Sequence, residues 1–282
     1  MDHLLDAEAL TALGHPGRLA VFRLLARRAP HGVRPGEIAD ALDLKPNTLS
    51  AYVITLTRAG LLVTWREGRS VYYGVNLGRI GALIDFLVND CCRGRPELCA
   101  PLAARSLERV ARGDEAGRPL DVLFVCTGNS ARSIFAEAIL NAEGQGRFRA
   151  HSAGTDPARR VRPEAARVLK ARGHAMAGLA PKSLARFTAP DARRMDIVIT
   201  VCDRAANEDC PPLPGLPITA HWGVPDPAAA PADTRAAAFE HAYEALAERI
   251  RLLVASGAEA LDPLALQHRL DTIGPARSAS ET

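Results

Sequence analysis

Val122-Leu123-Phe124-Val125-Cys126-Thr127-Gly128-Asn129-Ser130-Ala131-Arg132-Ser133 is the stretch from which the fold of the C-terminal half can be read. Its apolar start, Val122 to Val125, is continuous rather than alternating, the pattern of a strand buried on both faces. Ala131 to Ala142 has helical spacing, so the polar residues between form a loop that leaves a buried strand and opens a helix. At such a helix start several backbone N–H groups are unpaired and the helix dipole adds positive charge, which suits a bound anion. Thr127, Gly128, Asn129, Ser130, Ala131 and Arg132 therefore read as an oxyanion-binding loop. Gly128 is expected to let the backbone curl around the anion. Arg132 adds a planar, bidentate clamp. The same field is expected to lower the pKa of Cys126 and make its thiolate a nucleophile, with Ser133 placed to donate a hydrogen bond to the sulfur.

Working outward, strands and helices alternate. Phe148 to Ser152 reads as a strand, Pro163 to Arg172 as a helix, Ile197 to Val201 and Ile218 to His221 as strands, and Thr234 to Ala255 as a long helix. Alternation of this kind predicts a parallel sheet covered by helices. The tail from Leu261 has room for one short helix, and Ser278 to Thr282 reads as disordered. Toward the N-terminus, Ala103 to Arg112 reads as a helix and the polar, Gly-containing run 113–119 as a linker.

The first hundred residues have a different grammar, short helices and then a hairpin. Leu10 to Ala26 is helical with a break near His15-Pro16, Pro35 to Leu42 is a short helix, and Asn47 to Ala59 follows Pro46 and ends at Gly60. Leu61 to Arg66 and Arg69 to Val75 flank Glu67-Gly68 as a hairpin, and Leu77 to Asp90 carries an apolar stripe. The expected organisation is a mainly helical N-terminal domain with a hairpin over 1–102, a helix and linker over 103–119, an α/β domain over 120–258 and a tail over 259–282.

Charge sets limits on partners. The formal net charge is +3, and residues 1–100 carry 12 Lys/Arg against 10 Asp/Glu, so any nucleic-acid footprint is local. No run of about 18 apolar residues indicates a membrane span, and Met1-Asp2-His3-Leu4 lacks the pattern of a secretory signal. The chain reads as cytosolic. In that reducing compartment the six cysteines are expected to serve binding or catalysis rather than disulfides. They form two sets, Cys91, Cys92, Cys99 and Cys126, Cys202, Cys210.

Leu123 to Ser133, with Ser152-Ala153-Gly154, Lys182-Ser183 and His221-Trp222-Gly223-Val224-Pro225-Asp226-Pro227, resembles the low-molecular-weight protein tyrosine phosphatases and the arsenate reductases built on that fold. The resemblance spans roughly residues 120 to 255 and implies a four-stranded parallel sheet with Asp226, before Pro227, as general acid. Asp203 and Asp209 are rival carboxylates that do not precede proline. A phosphatase needs one cysteine, whereas a reductase must also carry away two electrons. Cys202 and Cys210 resemble the redox segment of thiol-relay arsenate reductases, with a longer spacing than in thioredoxin-coupled members. Ala228, Ala229 and Ala230 stand where phosphatases of this fold usually place aromatics. The resemblance implies no tightly bound cofactor and an external thiol reductant, thioredoxin or glutaredoxin with glutathione. Some members bind potassium near the loop, and Asn129, Glu137 and Ser152 match positions used there. Leu184-Ala185-Arg186 stands where an acidic ligand is expected, so the set is incomplete for that ion.

Leu13-Gly14-His15-Pro16-Gly17-Arg18-Leu19 and the segment Glu37 to Gly60 resemble the arsenic-responsive winged-helix repressors of the ArsR/SmtB family. That implies operator DNA as a partner, a homodimer, and a recognition helix whose Thr48, Ser50, Ala51 and Tyr52 face base edges. Arg66 and Arg69 at the wing would meet phosphate or the minor groove. Cys91, Cys92 and Cys99 are the candidate arsenite ligands, three soft thiolates for a thiophilic effector. The expected whole is an arsenite-responsive repressor fused to an arsenate reductase. The alternatives are a repressor fused to a tyrosine phosphatase, and a non-enzymatic regulator whose loop only senses arsenate or phosphate.

Overall fold

The computed structural model describes residues 2–91, 118–189, 191–208, 213–215 and 217–274. The chain divides into two compact units, Met1–Val110 with Asn207–Asp209, and Ala111–Ala206 with Cys210–Thr282. The expected helix over 103–112 and the end of the tail lie outside the described residues.

In the first unit α1 (Asp2–Leu13) and α2 (Pro16–Arg28) are separate helices. The break has a local cause: His15 caps α2, its Nδ1 accepting from Gly17 N at 3.1 Å and Arg18 N at 3.4 Å, and Pro16 fills the first helical turn. Helix α3 (Pro35–Leu42) and helix α4 (Pro46–Arg58) follow, and Ile38, Leu49, Val53 and Leu56 are buried between them and α2. Strands β1 (Leu62–Glu67) and β2 (Ser70–Val75) are antiparallel, with Glu67 opposite Ser70. The hairpin turn is therefore Gly68-Arg69, one residue later than expected, because Gly68 is the residue that accepts a φ of 59°. Helix α5 (Leu77–Asp85) is capped by Asn76 and tied to α1 by Arg79–Asp6 at 2.7 Å. The helix expected to run to Asp90 stays α-helical only to Asp85 and widens into a π-helical turn, Phe86–Cys91.

The second unit bears out the parallel α/β sheet. Its strands are β3 (Leu120–Cys126), β4 (Phe148–Gly154), β5 (Ile197–Thr200) and β6 (Ile218–His221), in the order β4-β3-β5-β6, all parallel. Helices α6 (Arg132–Glu143), α7 (Pro163–Ala171), α8 (Ala185–Thr188), α9 (Asp203–Asn207), α10 (Arg235–Ala255) and α11 (Pro263–Ile273) complete it. The short helices α8 and α9 have too few turns to show a period in sequence. The core is dominated by Phe124, Phe135, Trp222 and Phe239, all fully buried. Trp222 also donates from Nε1 to the Leu270 carbonyl at 3.1 Å, which fixes α11 to the sheet.

Register decides where the site is. Cys126 pairs with Gly154, Val125 with Thr200, and Thr200 with His221, so the carboxyl ends of all four strands are level. In open parallel sheets that edge is where ligands bind. Among the described residues no helix is long and apolar enough to cross a membrane.

Candidate functional site

The loop after β3 is shaped by its carbonyls. Thr155 N, Asp156 N, Ala158 N and Arg162 N donate to the carbonyls of Cys126, Thr127, Gly128 and Ser130, at 3.1, 3.0, 2.9 and 2.9 Å. With those carbonyls held by the chain after β4, the loop's own N–H groups are left to converge on an anion. The left-handed residue is Asn129, at a φ of 43°, and Gly128 is not in that region, which corrects the expectation that Gly128 supplies the curl. Asparagine accepts this conformation better than most residues, and its amide is fully used here. The glycine the loop does need is Gly154. A Cβ there would lie 2.5 Å from the Thr127 carbonyl oxygen and 3.1 Å from Asn129 N.

Cys126 is buried at the end of β3, with Ser133 Oγ at 2.9 Å and Asn129 N donating to its sulfur at 3.1 Å. Burial pushes this thiol above the ordinary cysteine range. The hydrogen bonds of Ser133 and Asn129 pull it down, the neighbouring Cys202 pushes it up, and burial outweighs the rest. The expected lowering is thus reversed, because desolvation acts on the whole charge and outweighs the hydrogen bonds of Ser133 and Asn129.

Arg132 opens α6 and is held by two acceptors, the Val224 carbonyl at 2.9 Å from Nη1 and Asp226 Oδ2 at 3.4 Å from Nη2. Asp226 is half exposed and caps the turn Pro227–Ala229 by accepting from Ala228 N at 3.1 Å. Cys202 follows β5, buried, with its sulfur 3.6 Å from the Thr127 hydroxyl. Cys126 and Cys202 are free thiols, and Cys210 lies outside the described residues. The rival carboxylate Asp203 is bound to His221 Nε2 at 2.9 Å, whose Nδ1 lies 2.8 Å from Thr200 Oγ1, and Asp209 is outside the described residues.

Behind the loop is a polar chain that residue spacing does not reveal. Asn129 Nδ2 donates to Ser133 Oγ and to Ser152 Oγ, both at 2.8 Å. Ser152 donates in turn to Glu137 Oε2. Lys182 Nζ lies 3.0 and 2.9 Å from the two Glu137 oxygens, and Lys182 N donates to Asn129 Oδ1 at 2.6 Å. Asn129, Glu137 and Ser152 are the residues matched to a potassium site, and they do not fit that ion. An ammonium group already engages both carboxylate oxygens, and apolar Leu184 stands at the missing acidic position.

In the first unit, Ser50 and Ala51 are exposed on α4 and Thr48 is half-buried. Tyr52 is turned inward onto the start of α2, its ring centroid 5.1 Å from that of His15, in space left by Gly17. It is thereby occupied in packing rather than presented with the other three. Arg66 ends β1 one residue short of the strand's last position, Arg69 lies in the turn, and both are exposed. Cys91 is exposed at the end of the π-helical turn, and Cys92 and Cys99 lie outside the described residues. Among the described residues no group of three His, Cys, Asp or Glu is placed to hold a metal ion.

The family model for low molecular weight phosphotyrosine protein phosphatase matches residues 121–262, and that for the IclR helix-turn-helix domain matches residues 19–64. The second corrects the expected ArsR/SmtB resemblance: the matching regulator type is IclR, and what stands is a DNA-binding helix-turn-helix. The buried apolar positions Ile38, Leu49, Val53 and Leu56, on which the resemblance leaned, fit a helix-turn-helix core of either type. An arsenate reductase of Bacillus licheniformis is 30% identical over 139 residues, covering 48% of this chain and 96% of that protein. Arsenate reductase 2 of Staphylococcus haemolyticus is 35% identical over 118 residues, covering 39% and 80%. The crystal structure of an arsenate reductase from Archaeoglobus fulgidus is 32% identical, with a TM-score of 0.39, covering 48% and 99%.

Proposed function

Starting from a chain that belongs to the low molecular weight phosphotyrosine protein phosphatase family, we propose that its C-terminal unit reduces arsenate to arsenite by a thiol relay and that its N-terminal unit is a DNA-binding regulator that responds to the product. The observation that carries the reductase reading is the second buried thiol at the loop, Cys202, with its sulfur 3.6 Å from the Thr127 hydroxyl. Phosphate-ester hydrolysis has no use for it. The names of the relatives support the same substrate.

Arsenate sits on the N–H groups of Thr127 to Arg132 and on the Arg132 guanidinium. The Cys126 thiolate attacks arsenic, and one oxygen leaves as water with a proton from Asp226. Cys202 attacks the Cys126 sulfur, a Cys126–Cys202 disulfide forms, and the sulfur–arsenic electron pair stays on arsenic, which departs as arsenite. Cys210 then attacks Cys202, freeing Cys126 and leaving a Cys202–Cys210 disulfide for thioredoxin, or glutaredoxin with glutathione. Each exchange needs the Cα atoms of its two cysteines within about 7 Å.

Arsenate turnover with each reductant, on the wild type and on Cys126→Ser, Cys202→Ser and Cys210→Ser, tests the relay. All three variants should lose multiple turnover. Full turnover in either of the last two defeats the relay, and hydrolysis of p-nitrophenyl phosphate without arsenate reduction favours the tyrosine phosphatase.

For the first unit, the proposal is a homodimer that holds operator DNA through Thr48, Ser50 and Ala51 on α4 and through Arg66 and Arg69. Arsenite taken by Cys91, Cys92 and Cys99 would favour the conformer of lower operator affinity. Arsenite titration of operator-bound protein should release it, and a full response in Cys91→Ser/Cys92→Ser refutes the assignment.

A further inference from the structure

We infer that Lys182 is an internal counter-ion that fixes the direction of the hydrogen bonds ending on the Cys126 sulfur, so that this chain dispenses with a dissolved monovalent cation at its oxyanion loop. The inference rests on reading that loop as the reactive one. Glu137 is 7% exposed on α6, and a carboxylate so buried needs a partner to stay charged. Lys182 Nζ supplies it at 3.0 and 2.9 Å. A charged Glu137 only accepts, so Ser152 donates to it. The Ser152 oxygen is then free to accept from Asn129 Nδ2.

The same lysine sets the other end of that amide. Its backbone N–H donates to Asn129 Oδ1 at 2.6 Å, which turns Nδ2 toward Ser152 and Ser133. Ser133 Oγ accepts from Nδ2 at 2.8 Å, so its remaining hydrogen points to Cys126 Sγ, 2.9 Å away. Lys182 itself is held by Gly154 N, which donates to its carbonyl at 2.8 Å. Every link from ammonium to sulfur thus has one sense. Without the ammonium, Glu137 loses its cationic partner and Ser152 its fixed acceptor, so the Asn129 amide is held from one end only and its grip on Ser133 loosens. Lys182 acts through other groups and is a positioning residue.

The test follows the rate of Cys126 alkylation by iodoacetamide against pH, and its protection by inorganic phosphate, in sodium or potassium chloride at equal ionic strength. Wild type should be the same in both salts, within about twofold. Lys182→Met should lose reactivity at fixed pH by about tenfold, the scale of one charge-assisted hydrogen bond. Its profile should move to higher pH, and potassium or methylammonium should restore part of the rate. Lys182→Arg should stay near wild type. The Lys182→Met/Glu137→Gln protein leaves no orphan charge, and it should fold yet remain slow. A residue with only a structural role would lower thermal stability without moving the pH profile. The inference is overturned if wild type speeds up severalfold in potassium, if Lys182→Met keeps the wild-type profile, or if the double variant reacts like wild type. None of these readings uses arsenate, so an inactive reductase would defeat the relay and leave this test standing.

Discussion

Replacing Gly154 by alanine adds one methyl group where the structure leaves no room for it. The φ of Gly154 is not in the left-handed region, so the backbone itself tolerates alanine and the whole effect is steric. The new Cβ would stand 2.5 Å from the Thr127 carbonyl oxygen, whereas ordinary contact begins at 3.4 Å, so the strand end and the loop must part by up to 0.9 Å. The strand is fixed by its pairing with β3 across Leu120 to Cys126, which makes the loop the part that moves. Overpacking of this size costs about 1–3 kcal/mol of stability. Misplacing oxyanion donors by about 1 Å costs on the order of 100-fold in rate. Function should therefore fail well before the fold does. The assay pairs a urea titration with arsenate kcat/KM and with phosphate protection of Cys126 from alkylation. A variant with wild-type kcat/KM refutes the claim that Gly154 sets the loop. A variant that loses stability and activity in step makes it a folding defect.

Three further outcomes follow from named contacts. Ser133→Ala removes the hydroxyl 2.9 Å from the Cys126 sulfur, and since a hydrogen bond to a charged group is worth about 1.5–3 kcal/mol, alkylation at fixed pH should slow by about 10- to 100-fold; an unchanged rate would remove Ser133 from the thiolate. Because burial raises the Cys126 thiol in the folded state, the stability this group contributes is present below the ordinary thiol range and is lost as pH rises through the folded value. Thermal melts of Cys126→Ser should accordingly lack part of the alkaline loss that wild type shows. Trp222→Ala empties a fully buried site and removes the Nε1 hydrogen bond to the Leu270 carbonyl, and should cost about 3–5 kcal/mol in urea denaturation; a loss under about 1 kcal/mol would mean α11 is not held by this side chain.

The two halves differed in what their sequences exposed. The strand Val122 to Val125 and the helix after it were legible because burial on both faces leaves a continuous apolar run. The oxyanion loop was legible because it lies between them without a gap. The chain from Lys182 through Glu137 and Ser152 to Asn129 was not, because its members are brought together by the pairing of β3 with β4 and by the bridge from Gly154 to Ser183. Likewise Thr200, Asp203 and His221 meet only because β5 and β6 end level. The direction of the Cys126 shift could not be read from its motif, since the burial that dominates it is set by tertiary packing, and the charge of Cys202, far away in sequence, adds to it. The end of α5 was misread for a local reason. An apolar stripe is compatible with either helical pitch over one turn, and so it did not announce the π-helical Phe86–Cys91.

The loop holds its charges in balance, and that balance bears on how Asp226 acts. Lys182 cancels Glu137, the buried Cys126 is favoured as a neutral thiol, and Arg132 faces Asp226 at 3.4 Å. An incoming oxyanion competes with the Asp226 carboxylate for the same guanidinium. A proton on Asp226 ends that competition and is also the proton the departing oxygen needs. Asp226→Asn mimics the neutral carboxyl in shape while removing the proton it could give. It should bind phosphate as tightly as wild type or more tightly, while the attack on arsenate slows by about 100- to 10,000-fold, the range of general-acid contributions. Single-turnover kinetics alongside phosphate protection of Cys126 separates the two effects. Weaker phosphate binding in Asp226→Asn would show that the carboxylate helps to hold Arg132 in place, and the competition on which this paired role depends would not exist.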